Sequence, residues 1–232
     1  MARQERAIRT RQAIVAASAE VFDEVGYEAA TISEILKRSG VTKGALYFHF
    51  TSKEELAQEV LASQLRAVPE VRKRELTLQQ VIDESLLLAY LLNSGDALVR
   101  GSIRLTVDQG SPADGLDRRV PMQAWIDHGV ALFGRAKADG ELLPHVDAEA
   151  VARMFVGGFT GIQILSNILT GHADIAERVA DLHRNLMTAI AVPGVLVRLD
   201  FSPERAARVY EEAMEQHRER EQEEEAAAAE TA

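Results

Sequence analysis

Cysteine is absent from the 232 residues, which removes disulfide frameworks, thiolate metal sites and cysteine nucleophiles together. Aromatic residues are scarce: one tryptophan, four tyrosines and seven phenylalanines. No apolar run reaches the roughly 18 residues that suggest a membrane helix. The opening MARQERAIRT is polar and arginine-rich without an apolar stretch, so it does not read as a secretory signal. There is no Gly-x-Ser-x-Gly elbow, no His-Glu-x-x-His pair and no phosphate loop. His128, His145, His172 and His183 show no pair at metal-ligand spacing. These absences predict a cytoplasmic protein that is not an enzyme, with no catalytic residues, cofactor, metal or membrane contact.

What is present is a chain 47% hydrophobic, ample for a packed core, with a net charge of −10. The charge is unevenly spread. From Glu211 to Ala232 nine glutamates face only Arg218 and Arg220, whereas residues 1–53 carry eight basic against six acidic side chains. That asymmetry suggests an N-terminal module facing a polyanion and a solvated acidic tail. Charge runs are also ordinary solvated faces, so the motifs must decide.

The periodicity is helical almost throughout. Turn signals recur at Gly26, Gly40, Ser52, Gly95, Gly110-Ser111-Pro112, Gly140, Gly171 and Pro193-Gly194, with no hairpin dipeptide between alternating strands and no repeat. A first helix is expected from about Arg6 to Val25, with Ile8, Ile14, Ala17, Val21 and Phe22 on one stripe and Gly26 closing it. Thr31-Ile32-Ser33-Glu34 is a capping box opening a short helix that Gly40 ends. Thr42 can cap a third helix, and Ser52-Lys53-Glu54-Glu55 opens a fourth running to about Arg66. The polar segment 67–76, broken by Pro69, reads as a hinge. Helices then follow at about 77–93, 96–109, 120–139, 147–170 and 173–190. A last one starts at Ser202-Pro203-Glu204, and the tail after Arg220 is expected to fray.

Two short helices around a glycine-containing turn, behind a longer one, form a helix-turn-helix pattern. In VTKGALYFHF, Leu46 and Phe50 lie four apart and anchor the third helix to a core. Lys43, Gly44 and Tyr47 fall within roughly a 100° arc of it. Lys43 can donate to guanine or to a phosphate, and Tyr47 and His49 offer donors to phosphate oxygens. Gly44 costs helix stability, which makes sense where a DNA backbone or base edge comes close. Lys53 and the N-terminal arginines, Arg6 among them, would flank the backbone. Thr31 and Thr42, at the two helix starts, complete the DNA-facing set. Phe48 has no assigned role. The bland alternative is a three-helix core with incidental polar decoration.

The stretch RTRQAIVAASAEVFDEVGYEAATISEILKRSGVTKGALYFHFTSKEEL resembles the N-terminal domain of TetR-family transcriptional repressors, over about the first 60 residues. The resemblance implies an all-α protein with a three-helix helix-turn-helix DNA-binding domain, 1–53, and a larger helical-bundle domain, 54–215. The second domain would bind a ligand and dimerise, followed by an acidic, disordered tail, 216–232. It further implies a homodimer on a palindromic operator of double-stranded DNA, with recognition helices about 34–36 Å apart.

In the C-terminal half, FVGGFTGIQILSNIL is apolar nearly all round, so that helix is internal or shared with a partner subunit. Gly157 and Gly161 fit close helix packing, or room left for a ligand. Thr160 and Gln163 need partners when buried, and a ligand carbonyl or hydroxyl could supply one, as could other protein groups. Trp125 shares a face with Gly129, Leu132, Phe133 and Ala136, which reads as core or as a rigid apolar pocket wall. LDRRVPMQAW, FVGGFTGIQILS and AIAVPGVLVRLDFSPERAARVY resemble the γ-butyrolactone receptors, a TetR subfamily of antibiotic-producing filamentous bacteria. That resemblance spans about residues 1–215. It implies a small hydrophobic lactone, butenolide or furan as the ligand, and release of operators that control antibiotic biosynthesis. It carries Trp125, Gln64 and Thr160 over as ligand contacts, with Phe159 and Gln163 beside them. The rival reading is a TetR-type regulator of drug efflux, which would need a wide acidic and aromatic pocket for cationic or aromatic compounds.

Overall fold

In a computed structural model the chain is helical, and the structure describes residues 2–108 and 114–230. Among these residues there are eleven helices and one isolated bridge, Leu142 with Ala191. The turn expected at Gly110-Ser111-Pro112 lies outside them. The helices form two compact units, one of Met1–Ala67 with Gly95–Ala124, the other of Val68–Ser94 with Trp125–Ala232. The boundary expected from the sequence at 53/54 falls inside the first of these units.

The first unit begins with α1, Ala2–Ala29, interrupted at Gly26, whose φ of 77° is left-handed. The expected stop at Gly26 is therefore a kink followed by a last short turn. Ile14, Ala17, Val21 and Phe22 are buried, but Ile8 is exposed, because the first turns of α1 run past the core. Next come α2, Ile32–Ser39, α3, Lys43–His49, and α4, Lys53–Ala67, then α6, Ala97–Val107. Each short helix has its own punctuation. Thr31 Oγ1 accepts from Glu34 N at 3.2 Å, and Gly40 closes α2 at φ 68°. Thr42 Oγ1 accepts from Ala45 N at 3.2 Å. At α4, Ser52 Oγ accepts from Glu55 N at 3.1 Å, while the Glu55 carboxylate reaches back to Thr51 N at 2.6 Å. α6 lies against α1 so closely that a methyl at Gly101 would collide with the Ala19 carbonyl oxygen.

The second unit holds α5, Thr77–Ser94, α8, Ala148–Thr170, α9, Ile175–Ile190, α10, Pro193–Leu196, and α11, Arg205–Glu230. α7, Arg119–Ala138, runs from one unit into the other. α5 is capped from far along the chain: the buried Glu141 carboxylate accepts from Thr77 N at 2.7 Å and Leu78 N at 2.8 Å. Buried Asp83 meets Arg74 at 2.5 Å and Arg205 at 2.5 Å, which fastens the segment before α5 and the start of α11 to α5. The tail expected to be disordered from 216 is helical through Glu230. Alanine and glutamate are strong helix formers, and Arg72–Glu219 at 3.0 Å and Arg220–Glu70 at 2.6 Å hold the helix on its unit.

Candidate DNA-reading and ligand sites

The first unit presents α3 outward. Leu46 and Phe50 are buried in a cluster with Ile14, Phe22, Ile35 and Leu56, and they fix the rotation of a helix only seven residues long. Because those two face inward, Thr42, Lys43, Gly44, Tyr47 and Phe48 are exposed, and His49 is half-buried. Lys43 Nζ lies 5.9 Å from the Tyr47 ring centroid. A Cβ at Gly44 would meet nothing within 4 Å, so the chain's own packing does not require glycine there. Phe48 is 80% exposed, and it is the large apolar group that sequence reasoning left without a role. Among the described residues its ring meets that of His49, at 5.1 Å.

The remaining basic groups differ in availability. Arg6 is exposed near the start of α1. Lys53 Nζ donates to the carbonyls of Tyr27 at 2.9 Å and Ala30 at 3.1 Å and lies 4.4 Å from the Tyr27 ring centroid. Its charge thus closes the C-terminal end of α1. Arg38 is held bidentate by Glu24 at 2.6 and 2.7 Å. Arg11 bridges α1 to α4 through Glu59 at 2.9 Å and covers the Phe50 ring at 4.9 Å. Thr31 spends its hydroxyl on the α2 cap. Lys43 and Tyr47 on α3 remain exposed, as does Arg6 on α1.

The ligand candidates fall on both units. Gln64, on α4, is buried, and its Oε1 accepts from Thr106 Oγ1 at 3.4 Å. The other four belong to the second unit. Trp125 is half-buried near the start of α7, above a stripe in which Gly129, Leu132, Phe133 and Ala136 are all buried. Phe159 is buried on α8 beside Phe155, at 6.2 Å between ring centroids, and Gln163 is buried one turn later. Thr160 is half-buried and returns its hydroxyl to the Val156 carbonyl at 2.8 Å, the usual partner of a helical threonine.

Two of the histidines that the sequence marked only as lacking metal-ligand spacing stand in this unit. His183 is fully buried on α9 between Ser85 and Phe155, whose ring centroid is 5.1 Å away. Burial lowers its pKa to about 3, so it is neutral. His128 lies one turn beyond Trp125, edge-on to the indole at 6.3 Å, and its Nε2 meets Glu84 at 2.6 Å. The Glu84 carboxylate raises the His128 pKa, against partial burial. Neither pairing was legible in the sequence, because each joins residues 44 or more positions apart.

On α8 the face opposite Phe159 and Gln163 is apolar and open: Met154, Ile164, Leu165, Ile168 and Leu169 are exposed. Gly157 and Gly161 lie on it, and a Cβ at either would meet nothing within 4 Å. The close packing expected at these two glycines is therefore not made within the chain. Gly158, by contrast, faces Leu182 at 3.3 Å.

Residues 14–60 match the family of bacterial regulatory proteins described as the tetR family. The chain is 39% identical over 202 residues to the A-factor receptor protein of Streptomyces griseus, covering 86% of this chain and 70% of that one. Among solved structures it is similar to TylP, a TetR regulator from Streptomyces fradiae, at 74% identity and a TM-score of 0.86, over 90% of this chain and 99% of that one. It is also similar to a gamma-butyrolactone receptor described as an ArpA-like protein, at 27% identity and a TM-score of 0.62, over 89% and 99% of the two chains.

Proposed function

Since the chain belongs to the TetR family of bacterial regulatory proteins, we propose that it is a dimeric repressor released from its operator by a γ-butyrolactone, butenolide or furan signal. Its target genes, on this reading, are those of antibiotic biosynthesis, and it acts in the cytoplasm. The observation that carries the ligand half is the extent of the similarity. It spans 202 residues of the A-factor receptor, well beyond the DNA-reading helices.

The division of labour follows the residues. Residues 1–53 read DNA, and 54–215 bind the ligand and dimerise. Lys43, Gly44 and Tyr47 meet base edges and phosphates in the major groove, while Thr42, His49 and Arg6 meet the backbone. Thr31 and Lys53 serve the same surface by fixing α2 and the end of α1. In the second unit Trp125 and Phe159 give the ligand apolar walls, and Thr160 and Gln163 give it polar contacts. Gln64 is a ligand contact on the resemblance alone.

Two copies pair through α8 and α9. The exposed aliphatic face of α8 supports this, since an apolar strip of that kind in water is normally covered. Gly157 and Gly161 let a second helix backbone approach it. The dimer then sets two recognition helices one DNA turn apart, about 34–36 Å.

A ligand releases the operator only if it binds the non-DNA conformation better. A hundredfold preference is worth about 2.7 kcal/mol. The test is an operator gel shift titrated with a synthetic γ-butyrolactone, with Lys43→Ala as the DNA-contact control. Release of the wild-type complex, and weak shifting by the variant at the start, is the expected outcome. A shifted band that persists at saturating lactone sinks the release reading.

A further inference from the structure

His128 is the half-exposed titratable group that stands against the only tryptophan. Its ring meets the Trp125 indole edge-on at 6.3 Å, and 36% of its side chain remains accessible. Nε2 is committed to Glu84 Oε2 at 2.6 Å. Among the described residues, Nδ1 has no hydrogen-bond partner.

The carboxylate that holds His128 is itself fixed. Glu84 Oε1 accepts from Gln80 Nε2 at 2.9 Å, and Gln80 Oε1 accepts from Arg74 N at 3.0 Å. The imidazole is therefore held by a braced anion on α5, one turn of α7 from a large apolar face. Glu84 favours the protonated ring, while burial and Arg135 on the same helix oppose it, and the balance raises its pKa. A ring protonated on both nitrogens has a second N–H to give. The same helix turn thus offers a flat apolar wall and a charged donor, a combination suited to a small ring carrying one strong acceptor.

We propose that His128, held by Glu84, donates its second N–H to the ring carbonyl of the lactone beside Trp125 and so selects ligands that carry that acceptor. This rests on the lactone reading above. A site built around such a donor discriminates strongly against an analogue lacking the acceptor, because the donor is then left without a partner. Binding should also weaken as rising pH removes the proton that Nδ1 donates.

The experiment is calorimetric binding to the full chain of two probes, a γ-butyrolactone with an alkyl side chain and the matching tetrahydrofuran without the carbonyl. Wild type, His128→Leu and His128→Gln are compared at pH 6 and pH 9. Wild type should prefer the lactone at least tenfold at pH 6, with a smaller preference at pH 9. His128→Leu should lose the preference and the pH dependence together. His128→Gln, which keeps a donor and a partner for Glu84, should keep part of the preference without the pH dependence. It also carries the comparison if the leucine variant does not fold. Equal weakening of both probes in the variants would overturn the proposal in favour of a packing role, as would a lactone preference that survives in His128→Leu. Wild type that shifts operator but binds neither probe overturns the lactone reading itself, and this proposal with it.

Discussion

At the scale of single residues, the imidazole of His183 is the group most out of place in water's terms, because it is closed off from solvent and kept neutral. Its pKa is about 3 in the folded chain against the usual 6.5 or so for histidine. Between those values the unfolded chain binds the extra proton and the folded chain does not. Stability is therefore intact above about pH 6.5 and is lost as pH falls below it, by about 1.4 kcal/mol per pH unit for one proton. Thermal melts from pH 7 to pH 4 should show a steeper loss in wild type than in His183→Leu, and parallel slopes would contradict the buried neutral assignment. The residue-level chemistry was unevenly legible. Thr31, Thr42, Leu46 and Phe50 were readable because caps and anchors act over three or four positions. Lys53 is expected to flank the DNA backbone; that its ammonium also closes α1 was not readable, since a carbonyl cluster formed by residues 27–30 is invisible until the chain folds.

At the scale of elements, helix positions follow from periodicity and punctuation, while their contacts depend on partners far along the chain. α6 was expected as a helix, but nothing local marks Gly101 as the point where it meets α1. Gly101→Ala would drive a methyl into the Ala19 carbonyl and force the two helices apart. Overpacking of this kind costs about 1–3 kcal/mol, which urea denaturation would register as a lower midpoint. An unchanged midpoint would mean that the helices separate freely. The acidic end of α11 is helical through Glu230. Ahead of the stretch expected to fray, Arg72 pairs with Glu219 and Arg220 with Glu70, contacts to the segment before α5 that composition alone does not reveal. α10 was missed because four residues are too few for any period.

At the scale of the whole molecule, the proposed dimer rests on the outer face of α8. Ile168 is 72% exposed there, so Ile168→Asp should leave the fold of each copy intact. A charge at the centre of a closed apolar interface is costly, so the variant should sediment as a monomer and lose operator affinity. A dimeric Ile168→Asp protein would place the interface elsewhere. The sequence could not decide between packing inside the chain and packing between chains at Gly157 and Gly161. Periodicity identifies an apolar face without naming what covers it. The central claim, that ligand and operator compete through two conformations of one protein, has a thermodynamic signature. Linkage requires operator DNA to weaken lactone binding by the same factor by which lactone weakens operator binding. Calorimetric titration of a γ-butyrolactone into the free protein and into the saturated operator complex, at one salt concentration, measures this directly. The account predicts weaker lactone binding in the complex, by the factor read from the operator titration; equal affinity in the two states would contradict it.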